Sequence, residues 1–195
     1  MFARNTNEEN MSGPKTIDSG SLSVGELLRK PYSYKVLYYQ RDYSWSEEHI
    51  TTLWQDITNA FKEGNDTEYF MGVIVIAPDE SEKSRLIVDG QQRITSLSMI
   101  FSAISAEWEA RGEEKRSIGV SRDYLGSEDR RTGSIIPKLS LNETNDSVFK
   151  QIVLHREEPD SSDKKLWPKT TQPLCTKVHR LPPGLKVLNH SRIMF

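Results

Sequence analysis

The chain has 195 residues, 35 % of them hydrophobic and 28 % charged, which suffices for one core of ordinary size. No stretch approaches the roughly 20 apolar residues of a membrane span, and a net charge of −2 excludes a general attraction to nucleic acid or anionic lipid, so a polyanion would need a local basic site. The single cysteine, Cys175, excludes an internal disulfide and a Cys-rich zinc site; with no apolar run at the N-terminus to serve as a signal peptide, it points to a soluble protein of the reducing cytoplasm.

Residues 1–19 are polar, contain Gly13 and Pro14, and read as a flexible lead-in. In SLSVGELLRK, Ser23 and Glu26 have capping-box spacing ahead of Val24, Leu27 and Leu28, which predicts a short helix. Aromatic and β-branched residues then predict a strand over 32–40. Ser44 and Glu47 repeat the capping-box spacing, and Ile50, Leu53, Trp54, Ile57 and Phe61 follow at helical intervals, with Gly64 placed to end that helix. The apolar runs 70–76 and 86–88, separated by a polar turn with Pro78, predict an antiparallel hairpin. From Gln91 the period becomes helical again, with Ile94, Leu97, Phe101, Ile104 and Trp108 on one stripe before Arg111 and Gly112. Residues 113–133 read as a mobile loop, SIIPKLSLN as a strand and ETNDSVFKQIVL as a short helix. The expectation is an α+β domain over residues 20–154. Residues 155–195 hold five of the nine prolines and the only cysteine; this segment reads as a basic, disordered tail, as a nucleic-acid arm, or as a truncated gene end.

The sequence RLIVDGQQRITSL runs from a strand through Asp89 and Gly90 into a helix that starts with Gln91, Gln92 and Arg93. The first N–H groups of a helix are unpaired, and its N-terminus carries about half a positive charge, which penalises a cation there. An arginine in the first turn is therefore reasonable where an anion uses it: a guanidinium fork, two side-chain amides and unpaired N–H groups suit a phosphate. Asp89 would then cap the helix or hold a divalent metal. On the plainer alternative, Asp89 caps, Gly90 turns, and the three donors are solvated.

YYQRDYSW repeats the arrangement, since Gln40 and Arg41 end a strand just before a capped helix, and the two Gln-Arg junctions could face one anion. Alternatively Tyr39, Tyr43 and Trp45 are core or rim aromatics, with Arg41 packed over one of them. No P-loop sequence is present, no G-x-S-x-G supports a catalytic triad, and His49 has no partner at zinc-ligand spacing.

The blocks YYQRDYSW, YFMGVIVI and LIVDGQQRITSL, closed by PKLSLNETNDSVFKQIV, resemble in order and spacing the ParB-like N-terminal domain of GmrSD-type restriction endonucleases, over about residues 20–154. The resemblance implies a fold similar to the ParB and sulfiredoxin superfamily, with a small mixed sheet. It also implies a nucleotide-binding, NTPase-type module of an antiphage, modification-dependent restriction system, working with GTP, CTP or ATP and Mg²⁺. Carried over, Asp89, Gly90, Gln91, Gln92 and Arg93 fall on the D-G-Q-Q-R motif, and Gln40 and Arg41 on the second block, with Tyr39, Trp45 and Thr95 beside them. Asp89, Gln91, Gln92 and Arg93 would be catalytic, Asp89 also holding Mg²⁺. Tyr39, Gln40, Arg41, Trp45, Gly90, Arg93 and Thr95 would bind nucleotide and phosphate. The family usually has a proline before its Tyr-Gln-Arg, where this chain has VLYYQR, so a different approach of that strand is expected. Such proteins also continue into a helical region and an HNH-type nuclease domain, so DNA cleavage is expected from a nuclease partner or domain and not from this chain alone. A DNA-binding module without catalysis is the competing expectation, and a degenerate remnant the third.

Overall fold

The capping box at Ser23 forms as its spacing predicts. In the computed structural model, which describes residues 19–62, 68–157 and 193–194, the Ser23 hydroxyl accepts from the Glu26 N–H (3.1 Å) and the Glu26 carboxylate accepts from the Ser23 N–H (2.8 Å). Two otherwise orphaned donors are thereby satisfied, which lets a helix of only six residues, α1 (Val24–Arg29), bury Val24, Leu27 and Leu28. Strand β1 (Ser33–Val36) follows. Its Tyr34 is fully buried and donates its hydroxyl to the Leu27 carbonyl (2.7 Å), tying strand to helix; burial pushes its phenol well above the usual range.

The expected strand over 32–40 stops at Val36, and Tyr38 and Tyr39 lie exposed in a turn. The Gln40 side chain continues the pairing instead, its Nε2 donating to the carbonyls of Ile87 (2.8 Å) and Val88 (3.0 Å). Helix α2 (Glu47–Lys62) buries Ile50, Leu53 and Ile57 as expected; Gly64 and the side chain of Phe61 lie outside the described residues. Its N-terminus corrects the expected Ser44–Glu47 box. Ser46 precedes the helix, its N–H (3.2 Å) and hydroxyl (2.7 Å) both bonded to His49 Nδ1, because the Ser44 N–H is bound elsewhere.

The hairpin forms from β3 (Val75–Pro78) and β4 (Ser84–Asp89), with Ile76 opposite Ile87. Only the end of the 70–76 run enters it. Tyr69–Phe70 is a separate strand, β2, parallel to β8 (Ile193–Met194), and Gly72 in the intervening connection has φ +105°. Strand β1 pairs in parallel with β4 and with β7 (Leu139–Ser140), giving a mixed sheet of order β3-β4-β1-β7. Because a parallel pair cannot be joined by a tight turn, the long connection carrying α2 separates β1 from β4.

Helix α3 (Gln91–Ala110) is buried on almost every side from Gln92 to Ala103, so its apolar stripe understates its central position. Its buried serines return their hydroxyls to carbonyls, Ser96 to Gln92 (2.8 Å), Ser98 to Ile94 (3.0 Å) and Ser102 to Val153 (2.8 Å), which removes the cost of burying them. The mobile loop expected over 113–133 is instead α4 (Glu114–Val120), a π-helical turn (Ser121–Leu125) and β5 (Gly126–Glu128), which pairs with β6 (Ile135–Pro137). Tyr124 orders this polar segment by stacking on Phe101 at 4.4 Å, with the Arg29 guanidinium donating to its hydroxyl (2.6 Å). Helix α5 (Glu143–Lys150), capped by Asn142, and a π-helical turn (Gln151–His155) complete an α+β arrangement with a small mixed sheet. Apart from its first three residues and Ile193–Met194, the expected tail at 155–195 lies outside the described residues, as does nearly all of the lead-in at 1–19.

Asp79 ties the hairpin turn to β1. Lys35 Nζ lies 2.8 Å from its Oδ2, the Ser84 hydroxyl donates to the same oxygen, and the Glu80 N–H donates to Oδ1 (2.9 Å). These donors, Lys35 first, hold its carboxyl at about 2, below its ordinary 3.8. A carboxyl depressed on folding stabilises the protein above its unfolded pKa, and that stabilisation is lost as pH falls from 3.8 through about 2. Asp79→Asn should therefore flatten the dependence of melting temperature on pH across that window. An unchanged slope would show that the turn contributes nothing to acid sensitivity.

Candidate functional site

Strand β4 passes directly into α3 through Gly90, which is buried at φ +91°. A Cβ there would lie 2.9 Å from Ile74 Cγ1 as well as in a strained conformation, so only glycine fits. No side chain caps the helix, and Asp89 is exposed without a partner among the described residues, so the expectation that Asp89 caps is not met. The N–H groups of Arg93 (3.1 Å) and Ile94 (3.2 Å) donate to the Gly90 carbonyl, leaving those of Gln91 and Gln92 uncapped at the positive end of a 20-residue helix.

The segment 40–44 lies across this helix start and is fastened by side-chain amides. Gln92 is only 5 % exposed; its Nε2 donates to the Asp42 carbonyl (3.1 Å) and its Oε1 accepts from the Ser44 N–H (2.8 Å). Gln91 Nε2 donates to the Arg41 carbonyl (3.0 Å). From the other side Asp42 Oδ1 accepts from Asn142 Nδ2 (2.9 Å) and Asn145 Nδ2 (2.7 Å), while Asn142 Nδ2 also donates to the Gln40 carbonyl (3.1 Å). One loop is thus locked between the N-termini of α3 and α5.

Between those helix starts is a cavity of about 190 Å³, part of it open to solvent, bordered by Arg41, Gln91, Gln92, Thr95, Asn142 and Asn145 over an apolar floor that includes Val36 and Leu141. The Arg41 guanidinium has no ion pair or hydrogen bond among the described residues. Asn145, 1 % exposed, keeps a buried Oδ1 without a partner. Most of that space is open to solvent and its enclosed part holds about one water-sized group, so an anion would rest at the mouth beside Arg41 and a whole nucleotide does not fit inside.

The two arginines do not converge. At 100° per residue Arg93 projects about 200° from Gln91; it donates through Nη1 to the Val73 carbonyl (2.9 Å) and packs on Gly72, whose Cβ would meet its Cζ at 3.1 Å. Arg93 therefore holds the 71–74 connection, whereas Gln91, Gln92 and Thr95 share the cavity with Arg41. Tyr39 is 68 % exposed beside Tyr38, and Trp45 is half-buried and stacked on His49 at 5.9 Å. Sequence reading missed Asp42, Asn142 and Asn145; the cap signal of Asn142 before ETND was the available clue. Arg93→Ala is expected to raise amide exchange at residues 71–74 with little change in global stability. The lost hydrogen bond is exposed to solvent, which lowers its worth, and its loss is offset in part by relief of the helix dipole, about 0.3–1 kcal/mol. Unchanged local exchange would show that Arg93 does not anchor that segment.

The family model for the GmrSD restriction endonuclease N-terminal domain matches residues 24–189. The chain belongs to that family. The GmrSD match starts at α1 and runs past residue 154, where sequence reading ended the domain. No curated protein matches the chain. No helix among the described residues is long and apolar enough to cross a membrane, and no three His, Cys, Asp or Glu side chains among them gather as a metal site.

Proposed function

We propose that this GmrSD N-terminal domain binds the phosphates of a nucleoside triphosphate and hydrolyses it, as the NTPase-type module of an antiphage restriction system with a ParB-like fold. One observation carries the reading: a guanidinium without a hydrogen-bond or ion-pair partner among the described residues, Arg41, stands at the mouth of a small cavity beside an uncapped helix N-terminus. Both features favour an anion, and the fork of Arg41 matches two phosphate oxygens.

The roles differ from residue to residue. Arg41 and the N–H groups of Gln91 and Gln92 hold phosphate oxygens. Gln91 keeps its side-chain oxygen to orient a water, since its Nε2 alone is bound to the Arg41 carbonyl. Gln92 shapes the site, because both of its amide atoms are held by backbone. Gln40 fixes the strand end, and Tyr39 and Trp45 offer rings to the base. Arg93 acts from the opposite face, and reaches phosphate only by releasing Val73. Mg²⁺ takes one or two carboxylates beside the phosphates it accompanies, and Asp89, exposed and without a partner among the described residues, is suited to be one. Bound there, the ion would neutralise phosphate charge.

Titration with GTP, CTP and ATP, with and without Mg²⁺, tests the reading. Saturable binding of at least one is expected, and no binding up to millimolar concentration would overturn it. Binding of DNA that falls steeply with salt, without nucleotide binding, would favour the DNA-binding alternative. The nuclease step belongs to a partner or a further domain.

A further inference from the structure

The cavity holds more than an anion requires. Behind Arg41, Thr95 and Asn145 are each 1 % exposed. The Thr95 hydroxyl makes no hydrogen bond among the described residues, and Asn145 Oδ1 is a buried acceptor without a partner. Asn145 cannot be reversed to cure this, because its Nδ2 is needed by Asp42 (2.7 Å) and by Asn142 Oδ1 (2.8 Å). A buried acceptor left without a donor is costly, so such an atom marks a missing partner. A phosphate cannot be that partner, since its oxygens are acceptors too.

Size and charge narrow the choice. The enclosed part of the cavity has room for about one water-sized group, which excludes a nucleobase. Arg41 on the rim disfavours an ammonium. What remains is a neutral group that donates to Asn145 Oδ1 and also exchanges a hydrogen bond with Thr95: a water does both, and so does a ligand hydroxyl that displaces it. We propose that Thr95 and Asn145 bind a sugar hydroxyl of the nucleotide, so that the site selects ribonucleotides over deoxyribonucleotides. This inference rests on the phosphate reading above and adds the identity of the sugar. It also separates a free ribonucleotide from DNA, whose internal sugars have no hydroxyl to offer.

The test compares GTP, CTP and ATP with their 2′-deoxy and 3′-deoxy counterparts and with inorganic tripolyphosphate, on the full chain, by calorimetric titration. A ribonucleotide should bind roughly tenfold or more tightly than one of its two deoxy forms, because the deoxy ligand leaves Asn145 Oδ1 unpartnered. Thr95→Val keeps the side-chain shape and removes the hydroxyl, and should bring that ratio toward one while tripolyphosphate affinity is kept. In ¹⁵N-labelled protein the side-chain amide signals of Asn145 should move with the ribonucleotide more than with tripolyphosphate. If ribo and both deoxy forms bind equally, the sugar inference is overturned, a water fills the cavity, and the phosphate reading stands. If neither nucleotide nor tripolyphosphate binds, both are overturned.

Discussion

Replacing Gln92 with leucine is expected to destabilise the protein by about 2–5 kcal/mol, although the new side chain is apolar, of similar length and placed in a buried position. Gln92 joins α3 to the loop between β1 and α2 through two backbone bonds, and leucine strips the Asp42 carbonyl and the Ser44 N–H of their partners at once. Each orphaned group costs about 1–3 kcal/mol if it cannot reach water. Gln92→Glu separates the two contacts. Its carboxylate still accepts from Ser44, but presents an oxygen to the Asp42 carbonyl and buries a charge, so it should be at least as destabilising at neutral pH and should recover on acidification as it becomes protonated. Urea denaturation of both variants measures this. A loss below about 0.5 kcal/mol for the leucine variant would show that water replaces the amide and that the loop is not fastened there.

The parts of the fold written in local chemistry could be read from the chain. The Ser23–Glu26 box, the stripe of α3 and the hairpin depend on neighbours a few residues apart, and each formed, although Pro78, expected in the turn, ends β3 opposite Arg85. Where partners come from far along the chain, local spacing misled. Ser44 has capping-box spacing to Glu47, yet Gln92, 48 residues away, takes its N–H and moves the helix start to Ser46. The polar stretch 113–133 has no period to announce a helix; Tyr124 orders it through Phe101 and Arg29, both distant in sequence. The candidate site divides in the same way. D-G-Q-Q-R and Gln-Arg were legible as motifs, but which face of α3 each residue occupies sets Arg41 and Arg93 apart. Asp42, Asn142 and Asn145 entered only once α5 was packed against the loop.

Arg41→Ala is expected to weaken binding of nucleotide or tripolyphosphate by roughly tenfold or more, the equivalent of a charge-assisted contact worth about 1.5–3 kcal/mol. Its folding stability should stay within about 0.5 kcal/mol of the parent, because the residue is exposed and its guanidinium makes no hydrogen bond or ion pair among the described residues that could be lost. Its backbone carbonyl accepts from Gln91, and alanine keeps that bond. Arg41→Lys preserves the charge without the fork and should restore binding in part. Measured beside it, Arg93→Ala gives the contrast, since that side chain is committed to Val73 and lies on the far side of the helix from Thr95. If Arg41→Ala binds as tightly as the parent while Arg93→Ala does not bind, the anion sits at the 71–74 connection. The uncapped start of α3 would then serve a phosphate approaching from the opposite face.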